Sequence, residues 1–315
     1  MNDNRMRAIS QSVYGGPEVL KVIEVDRPAP GPGEALVRVR AAGVNPADWR
    51  IRSGAVRRFG EPPFTLGLDL SGVVEEVGEQ VTRFRPGDEV YGCSFPPYGA
   101  YAEYATAPVE MLAAKPPSID HAHAAALPVV ALTAWQPLVR VAAVGAGQRV
   151  LVHAAAGGVG HLAVQIAKAR GAYVIGTARE EKHEFLHGLG ADELIDYTAV
   201  DFAAAARDID VVLDPIGGDY GLRSLDTLAP DGILIDVRGT GPDRSVVREQ
   251  AEARGLRYVE FGFIPSGADL ESVTDLVEHG RLRVVVDRIL PLEEVAGAHT
   301  LSESGRAKGK IVLTP

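Results

Sequence analysis

From residue 149 onward the chain alternates strand-like and helix-like runs, and no other feature constrains its fold as tightly. The run "RVLVHAA" (149–155) is β-branched and apolar, and "VGHLAVQIAKARG" (159–171) carries apolar residues at helical spacing and stops at Gly171. "AYVIGTA", "EEKHEFLHGLG", "DELIDY", "VDFAAAARD", "IDVVLDPIGG", "GLRSLDTLAPDG" and "ILIDVRG" continue in the same order. Parallel strands need crossovers long enough to hold a helix, so this alternation predicts a parallel sheet with helices on both faces. The chain before residue 125 reads differently. "EALVRVRAAGV", "SGVVEEVG", "GDEVYG" and "AYAEYATAP" are short β-like runs broken by Gly and Pro, which predicts a β-rich, barrel-like domain. Between the two, "HAHAAALPVVALTAWQPLVRVAAV" reads as helix. A tail from residue 266 contains the helix "DLESVTDLVEHG", the strand-like "RLRVVVDRILPL", the helix "EEVAGAHTLSES" and a last strand, "GKIVLTP", expected to return to the first domain. The expected domains are therefore 1–125 together with 266–315, and 126–265.

Composition narrows the partners. A chain of 315 residues with 46% hydrophobic residues is long enough for two cores. Lys and Arg number 32 against 42 Asp and Glu, a net charge of −10. A nucleic-acid groove or an anionic membrane surface needs a positive field, so neither partner is expected, although a local positive pocket can still hold an anionic cofactor. The start "MNDNRMRAIS" lacks the pattern of a secretory signal, and the apolar stretches are too short to span a bilayer. Cys93 stands alone, which excludes a disulfide framework and a thiolate metal cage. The expectation is a soluble, cytoplasmic protein.

The first strand–helix junction carries chemistry. From Ala155 the spacing is A-x-G-x-x-G, with Gly157, Gly158, Val159 and Gly160 between the strand and the helix. Gly157 lets backbone approach a pyrophosphate and Gly160 lets helix and strand pack closely, while the helix N-terminus offers free N–H groups to phosphate. The competing reading is a tight corner without a ligand. The second strand ends in Thr177, Ala178 and Arg179 with Lys182 one turn on, where an NAD-specific site usually presents an acid to the ribose. A small residue followed by a guanidinium suits a 2′-phosphate, so NADPH is favoured over NADH. Glu180 and Glu181 oppose that reading unless they only favour the first turn of the next helix. Tyr197, closing the third strand, either flanks the same pocket or packs.

Ordered matches along nearly the whole chain resemble the zinc-free quinone oxidoreductase branch of the medium-chain dehydrogenase/reductase superfamily. They are "GGPEVL" (15–20), "GVNPADWRIRSG" (43–54), "LGLDLSGVVEEVG" (66–78), "RPGDEVYG" (85–92), "GAYAEY" (99–104), "ALTAWQPL" (131–138), "VLVHAAAGGVGHLAVQIAK" (150–168) and "GKIVL" (309–313). The resemblance implies a GroES-like β-rich catalytic domain plus a Rossmann-type doubly wound parallel sheet, with the active site in the cleft between them. It also implies homodimers formed by joining sheet edges, for which "YVEFGF" is the candidate edge. Zinc-dependent relatives hold their metal through a Cys and a Gly-His-Glu segment. Here Asn45 stands at the cysteine position, Leu68 and Asp69 replace His-Glu, and His121 and His123 point apart on a helix, so no metal is expected.

Without a Lewis acid, a simple ketone or alcohol is hard to polarise, whereas a quinone or conjugated carbonyl takes hydride charge onto its own oxygen. The resemblance implies hydride transfer to such a small electrophile, with the protein positioning the ring and supplying donors. It assigns Asn45 to the nicotinamide ribose or acceptor oxygen, with Asp48 and Arg52 in support. Thr133 falls on the nicotinamide side, and Asp214, Ile216 and Asp236 to Gly239 fall at strand ends, where cofactors sit. Backbone near Phe263 falls at the carboxamide. Each has a plainer reading: Asn45 as a turn cap, Asp48 and Arg52 as a helical pair, Thr133 as a core hydroxyl. His153 reads as packing. Some quinone reductases carry tyrosines in and after the "NxxDxxxRSG" loop; here Trp49, Arg50 and Val56 stand there, with Tyr98 and Tyr101 as other hydroxyls. Three readings compete: an NADPH-dependent quinone reductase, a reductase of enones, 2-alkenals or enoyl thioesters, and a non-catalytic NADPH-binding sensor or structural protein.

Overall fold

The computed structural model describes residues 4–238 and 243–315. The chain folds as two units, one of Met1–Val129, Pro265–Gly280 and Val284–Pro315, the other of Val130–Ile264 and Arg281–Arg283. The expected boundaries at 125/126 and 265/266 thus move by a few residues, and a short insert from the tail joins the second unit.

In the second unit six strands form one all-parallel sheet: β1 (Arg149–Val152), β2 (Tyr173–Thr177), β3 (Glu193–Ile195), β4 (Ile209–Asp214), β5 (Leu228–Asp236) and β6 (Arg257–Glu260). Their order is β3-β2-β1-β4-β5-β6, so the direction of winding reverses beside β1. Val150, Leu151 and Val152 are all fully buried, as the centre of a sheet covered on both faces requires. Leu151, Ile175, Val212 and Leu234 from four neighbouring strands share one core cluster with Phe202 and Leu225. The helix Gly160–Ala169 connects β1 to β2, and Gly171 beyond its end adopts φ +85°, the left-handed conformation that ends helices. The expected helix over 180–190 is shorter, a 3-10 turn Glu180–Lys182 followed by His183–His187, because Leu186 is the one side chain it buries.

In the first unit the long strand Glu34–Val44 organises a seven-stranded sheet. It pairs antiparallel with Asp69–Val77, Tyr104–Pro108 and Lys310–Thr314, so the last strand does return to the first domain. A second sheet joins Lys21–Asp26, Arg5–Gln11 and Phe64–Thr65. Two expectations are corrected. The helical run after residue 121 breaks into His121–Ala125, Pro128–Trp135 and a π-helical turn Gln136–Val141, with the prolines at 128 and 137 marking the breaks. The strand over 281–292 contracts to Val286–Pro291. Its first residues are held elsewhere: Gln165 Oε1 accepts from Arg283 N at 2.9 Å and Gln165 Nε2 donates to Arg283 O at 2.9 Å.

Candidate functional site

In the second unit the turn after β1 is shaped by close backbone approach. A Cβ at Gly160 would stand 2.3 Å from Ala154 O and 2.7 Å from Ala155 Cα, so only glycine lets the helix begin this near the strand. Ala155 is fully buried, its N–H donates to Thr177 O at 3.1 Å, and Gly157 N–H donates to Ala154 O at 2.8 Å. Val159 caps the helix without a side-chain bond. The first N–H groups of any helix lack intrahelical partners, and this helix begins at Gly160, directly after the glycine turn. This cradle fits a pyrophosphate.

At the end of β2 the pieces separate into inward and outward groups. Thr177 is fully buried with Oγ1 3.1 Å from His153 Nδ1, so its hydroxyl serves the interior. His153 also reaches Ser224 Oγ at 2.9 Å and meets Phe202 and Tyr220 edge-on; burial holds its pKa down at about 3, and it is a neutral packing histidine. Arg179, by contrast, is exposed beside Tyr197, and the tyrosine hydroxyl raises the guanidinium pKa above its ordinary value. Two residues from different strand ends are thus brought together. Lys182 Nζ lies 3.4 Å from Glu181. The adjacent acid, Asp196, is occupied by Thr198 and the Glu180 N–H.

Asp214, at the end of β4, is buried and turned onto its own loop. Its Oδ1 accepts from Ile216 N at 2.7 Å and Gly217 N at 2.9 Å, which shapes the turn and leaves Ile216 exposed. Asp214 therefore builds the strand end that presents Ile216. Asp236, ending β5, is gripped by Arg238 and Arg244; burial alone would raise its pKa, and the two arginines bring it below the usual carboxylate range. Gly239 lies outside the described residues. Phe263 is half-buried in a segment held by Gln136, whose Oε1 accepts from Ile264 N at 2.9 Å and whose Nε2 donates to Ile264 O at 2.8 Å. Thr133, buried on helix Pro128–Trp135, lies one turn before Gln136. Gln136 was not singled out from sequence; the only sign was an amide inside an otherwise apolar helical run.

In the first unit the Asn45 loop is an interior network. Asn45, Asp48 and Arg52 are 1%, 0% and 3% exposed. Asn45 N–H donates to Asp48 Oδ2 at 2.8 Å, capping helix Pro46–Arg52, and Asn45 Nδ2 donates to Asp69 Oδ2 at 2.8 Å. The Lys310 ammonium bonds Val44 O at 3.0 Å, Asp69 Oδ2 at 3.2 Å and Asn45 Oδ1. Asp69 Oδ1 accepts from Val129 N at 2.7 Å. Arg52 donates to Gly15 O at 3.0 Å, to His299 Nδ1 at 3.2 Å and to Glu303. Because a guanidinium can only donate, His299 Nδ1 accepts and Nε2 carries the proton, donated to Tyr101 Oη at 3.3 Å. The Tyr101 hydroxyl proton then faces Asp48, whose Oδ1 is buried without a hydrogen bond of ordinary geometry. Burial raises Asp48 to about 7, raises Tyr101, and lowers His299 to about 3.

The Asn45 amide bonds Asp69 and Lys310, and the Arg52 guanidinium, expected in a supporting role, bonds Gly15, His299 and Glu303. Lys310 and His299, the centres of this network, were missed in the sequence, although a lysine inside the apolar strand "GKIVL" is itself a sign of a buried charge. The Lys310 ammonium is the buried cation that Asn45 and Asp69 share. Among the described residues no group of three His, Cys, Asp or Glu side chains is arranged to hold a metal ion. Trp49 is half-buried, with Arg50 5.2 Å from its ring.

Comparisons with known proteins agree on one lineage. Residues 31–117 match the GroES-like domain of alcohol dehydrogenases and residues 189–313 the zinc-binding dehydrogenase family. The quinone-oxidoreductase homologue of spinach chloroplasts is 36% identical over 324 residues, covering 98% of each chain. The solved quinone oxidoreductase of Coxiella burnetii is 37% identical, with a TM-score of 0.91 over 99% of both chains. A mycobacterial structure complexed with NADPH is 33% identical, with a TM-score of 0.89 over 98% of this chain and 100% of that one.

Proposed function

The chain belongs to the quinone oxidoreductase branch of the medium-chain dehydrogenase/reductase superfamily, and from that premise we propose that it reduces quinones with NADPH and without a metal. The observation that carries this reading is Lys310: its ammonium bonds both Asn45 and Asp69, the residues standing where zinc-dependent relatives place their ligand segments. With the position taken by an internal cation, the acceptor must stabilise incoming charge itself, as a quinone does.

Bound NADPH supplies the hydride; one hydride and one proton convert a quinone to its hydroquinone. The protein's own part is binding and orientation. Gly157, Gly158, Val159 and Gly160 hold the pyrophosphate at the helix N-terminus, with buried Ala155 fixing the turn. Arg179, with Tyr197 beside it and Lys182 nearby, receives the 2′-phosphate. Ile216, presented by Asp214, and the Phe263 segment, clamped by Gln136, line the nicotinamide end together with Thr133. Thr177 contributes small size at the strand end. Asn45, Asp48 and Arg52 hold helix Pro46–Arg52 and the loop that follows it. A homodimer built on the edge strand β6 and a cytoplasmic location complete the proposal; among the described residues no helix is long and apolar enough to cross a membrane.

The test is steady-state NADPH oxidation with 1,4-benzoquinone and with a 2-alkenal, on protein whose zinc content is measured. Quinone turnover with far less than one zinc per chain is expected. Turnover of the alkenal alone moves the activity to C=C reduction. Stoichiometric zinc overturns the metal-free reading. Saturable quenching of tryptophan by NADPH with no acceptor turned over points to the non-catalytic alternative.

A further inference from the structure

Beyond helix Pro46–Arg52 the chain makes a loop whose chemistry the cofactor assignment does not use. Between residues 50 and 58 it carries Arg50, Arg52, Arg57 and Arg58 and no acid, in a chain of net charge −10. The loop is pinned: Val56 N–H donates to Arg50 O at 3.1 Å and the Tyr14 hydroxyl to Gly60 O at 2.5 Å. Opposite it, segment 94–98 is fixed by Ser94 N–H to Leu68 O at 3.0 Å, Ser94 Oγ to Gly67 O at 3.0 Å and Thr65 N–H to Pro97 O at 3.0 Å. Between these anchors Phe59 and Phe95 stack at 5.6 Å and 23°. The Arg58 guanidinium lies 4.7 Å from the Phe59 centroid and 6.0 Å from that of Phe95. Tyr98 is exposed on the same segment. Arg52 is buried in the network above, and Arg57 lies over Tyr14 within 3.6 Å of Glu61. Unlike Arg52 and Arg57, Arg58 has neither an ion pair nor a hydrogen bond among the described residues.

A guanidinium held by its face against aromatic rings keeps its N–H donors in plane and pointed outward, in the fork that matches a carboxylate or sulfonate. The stacked rings beside it suit a flat conjugated body. We propose that Arg58, Phe59, Phe95 and Tyr98 bind the acceptor's ring and an anionic substituent on it, so that flat conjugated carbonyl compounds bearing a carboxylate or sulfonate are preferred. This rests on the reductase reading for its choice of ligand as an electron acceptor.

Two measurements separate the ideas. The first is the ratio of kcat/KM for 1,4-naphthoquinone-2-sulfonate to that for 1,4-naphthoquinone, in wild type, Arg58→Met, Arg58→Lys and, as a remote control, Arg85→Met. Arg58→Met should lower the ratio about tenfold, the scale of one charge-assisted bidentate contact, with Arg58→Lys recovering part of it and Arg85→Met matching wild type. A ratio unchanged in Arg58→Met, or lowered equally in Arg85→Met, overturns the site. The second is calorimetric binding of 2-naphthalenesulfonate, which needs no turnover. Weaker binding in Arg58→Met with neither quinone reduced by wild type leaves the anion site standing and removes the reductase reading. Unaltered binding with both quinones reduced does the reverse.

Discussion

The residues that the family motifs mark are held in opposite ways in the two units. In the first, Asn45, Asp48, Asp69, Arg52, His299 and Lys310 are buried and bonded to one another before any ligand arrives. In the second, Arg179, Tyr197 and Ile216 stand exposed at strand ends, and the glycine turn after β1 presents backbone. Family motifs mark both sets, yet one is bonded within the protein and the other stands open to solvent. The contrast can be broken by removing charge from each. Lys310→Met strips the cation from Asp69, which is fully buried. Deleting one partner of a buried pair costs about 3–5 kcal/mol, so urea denaturation should show a loss of that order. Breaking the exposed Arg254–Asp226 pair in the second unit should cost under about 1 kcal/mol. Equal losses in the two variants would erase the distinction.

Titration sharpens the same contrast. His299 has a folded pKa of about 3 and an unfolded value of about 6.5, so below pH 6.5 the unfolded chain binds a proton that the folded chain refuses. Its contribution to stability is complete above that pH and is lost as pH falls toward 3. Asp48, raised to about 7, acts with the opposite sign: its contribution is complete below the unfolded value near 3.8 and is lost as pH rises through 7. His299→Gln keeps an acceptor for Arg52 and a donor for Tyr101 but cannot titrate. Its Tm should fall less steeply than that of wild type between pH 6.5 and 3; parallel curves would show that His299 is not held neutral. His153, in the second unit, titrates in the same window and remains in both proteins, so the difference between the curves reports His299.

Why one half was legible follows from the range of the forces. Strand–helix alternation is local, and the valines of β1 and the glycine after helix Gly160–Ala169 announce their elements within a few residues. The return of "GKIVL" to the first unit was visible as one more apolar run. The Lys310–Asp69–Asn45 cluster was not, because it joins positions separated by 24 and 241 residues. Only the fold reveals that the Asn45 amide bonds Asp69 and Lys310 and that Arg52 answers to His299. The Gln136 and Gln165 clamps were hidden for a similar reason, since an amide that imitates a neighbouring strand leaves no periodicity to read.

The smallest effect belongs to the exposed side of the comparison. Arg179 has solvent around it and Tyr197 against it, so its loss should leave the fold's stability where it was and act on the cofactor alone. Its guanidinium can meet a 2′-phosphate through two parallel N–H donors, which a ribose hydroxyl cannot reciprocate. Arg179→Ala should therefore reduce the preference for NADPH over NADH about tenfold, read as the ratio of the two kcat/KM values with one quinone. Lys182, already beside Glu181, offers a point charge without that fork, and Lys182→Ala should change the ratio only a few-fold. An unchanged ratio in Arg179→Ala would move the phosphate contact away from the end of β2. A fall in Tm alongside it would mean that Arg179 belongs with the buried residues of the first unit, as a structural charge.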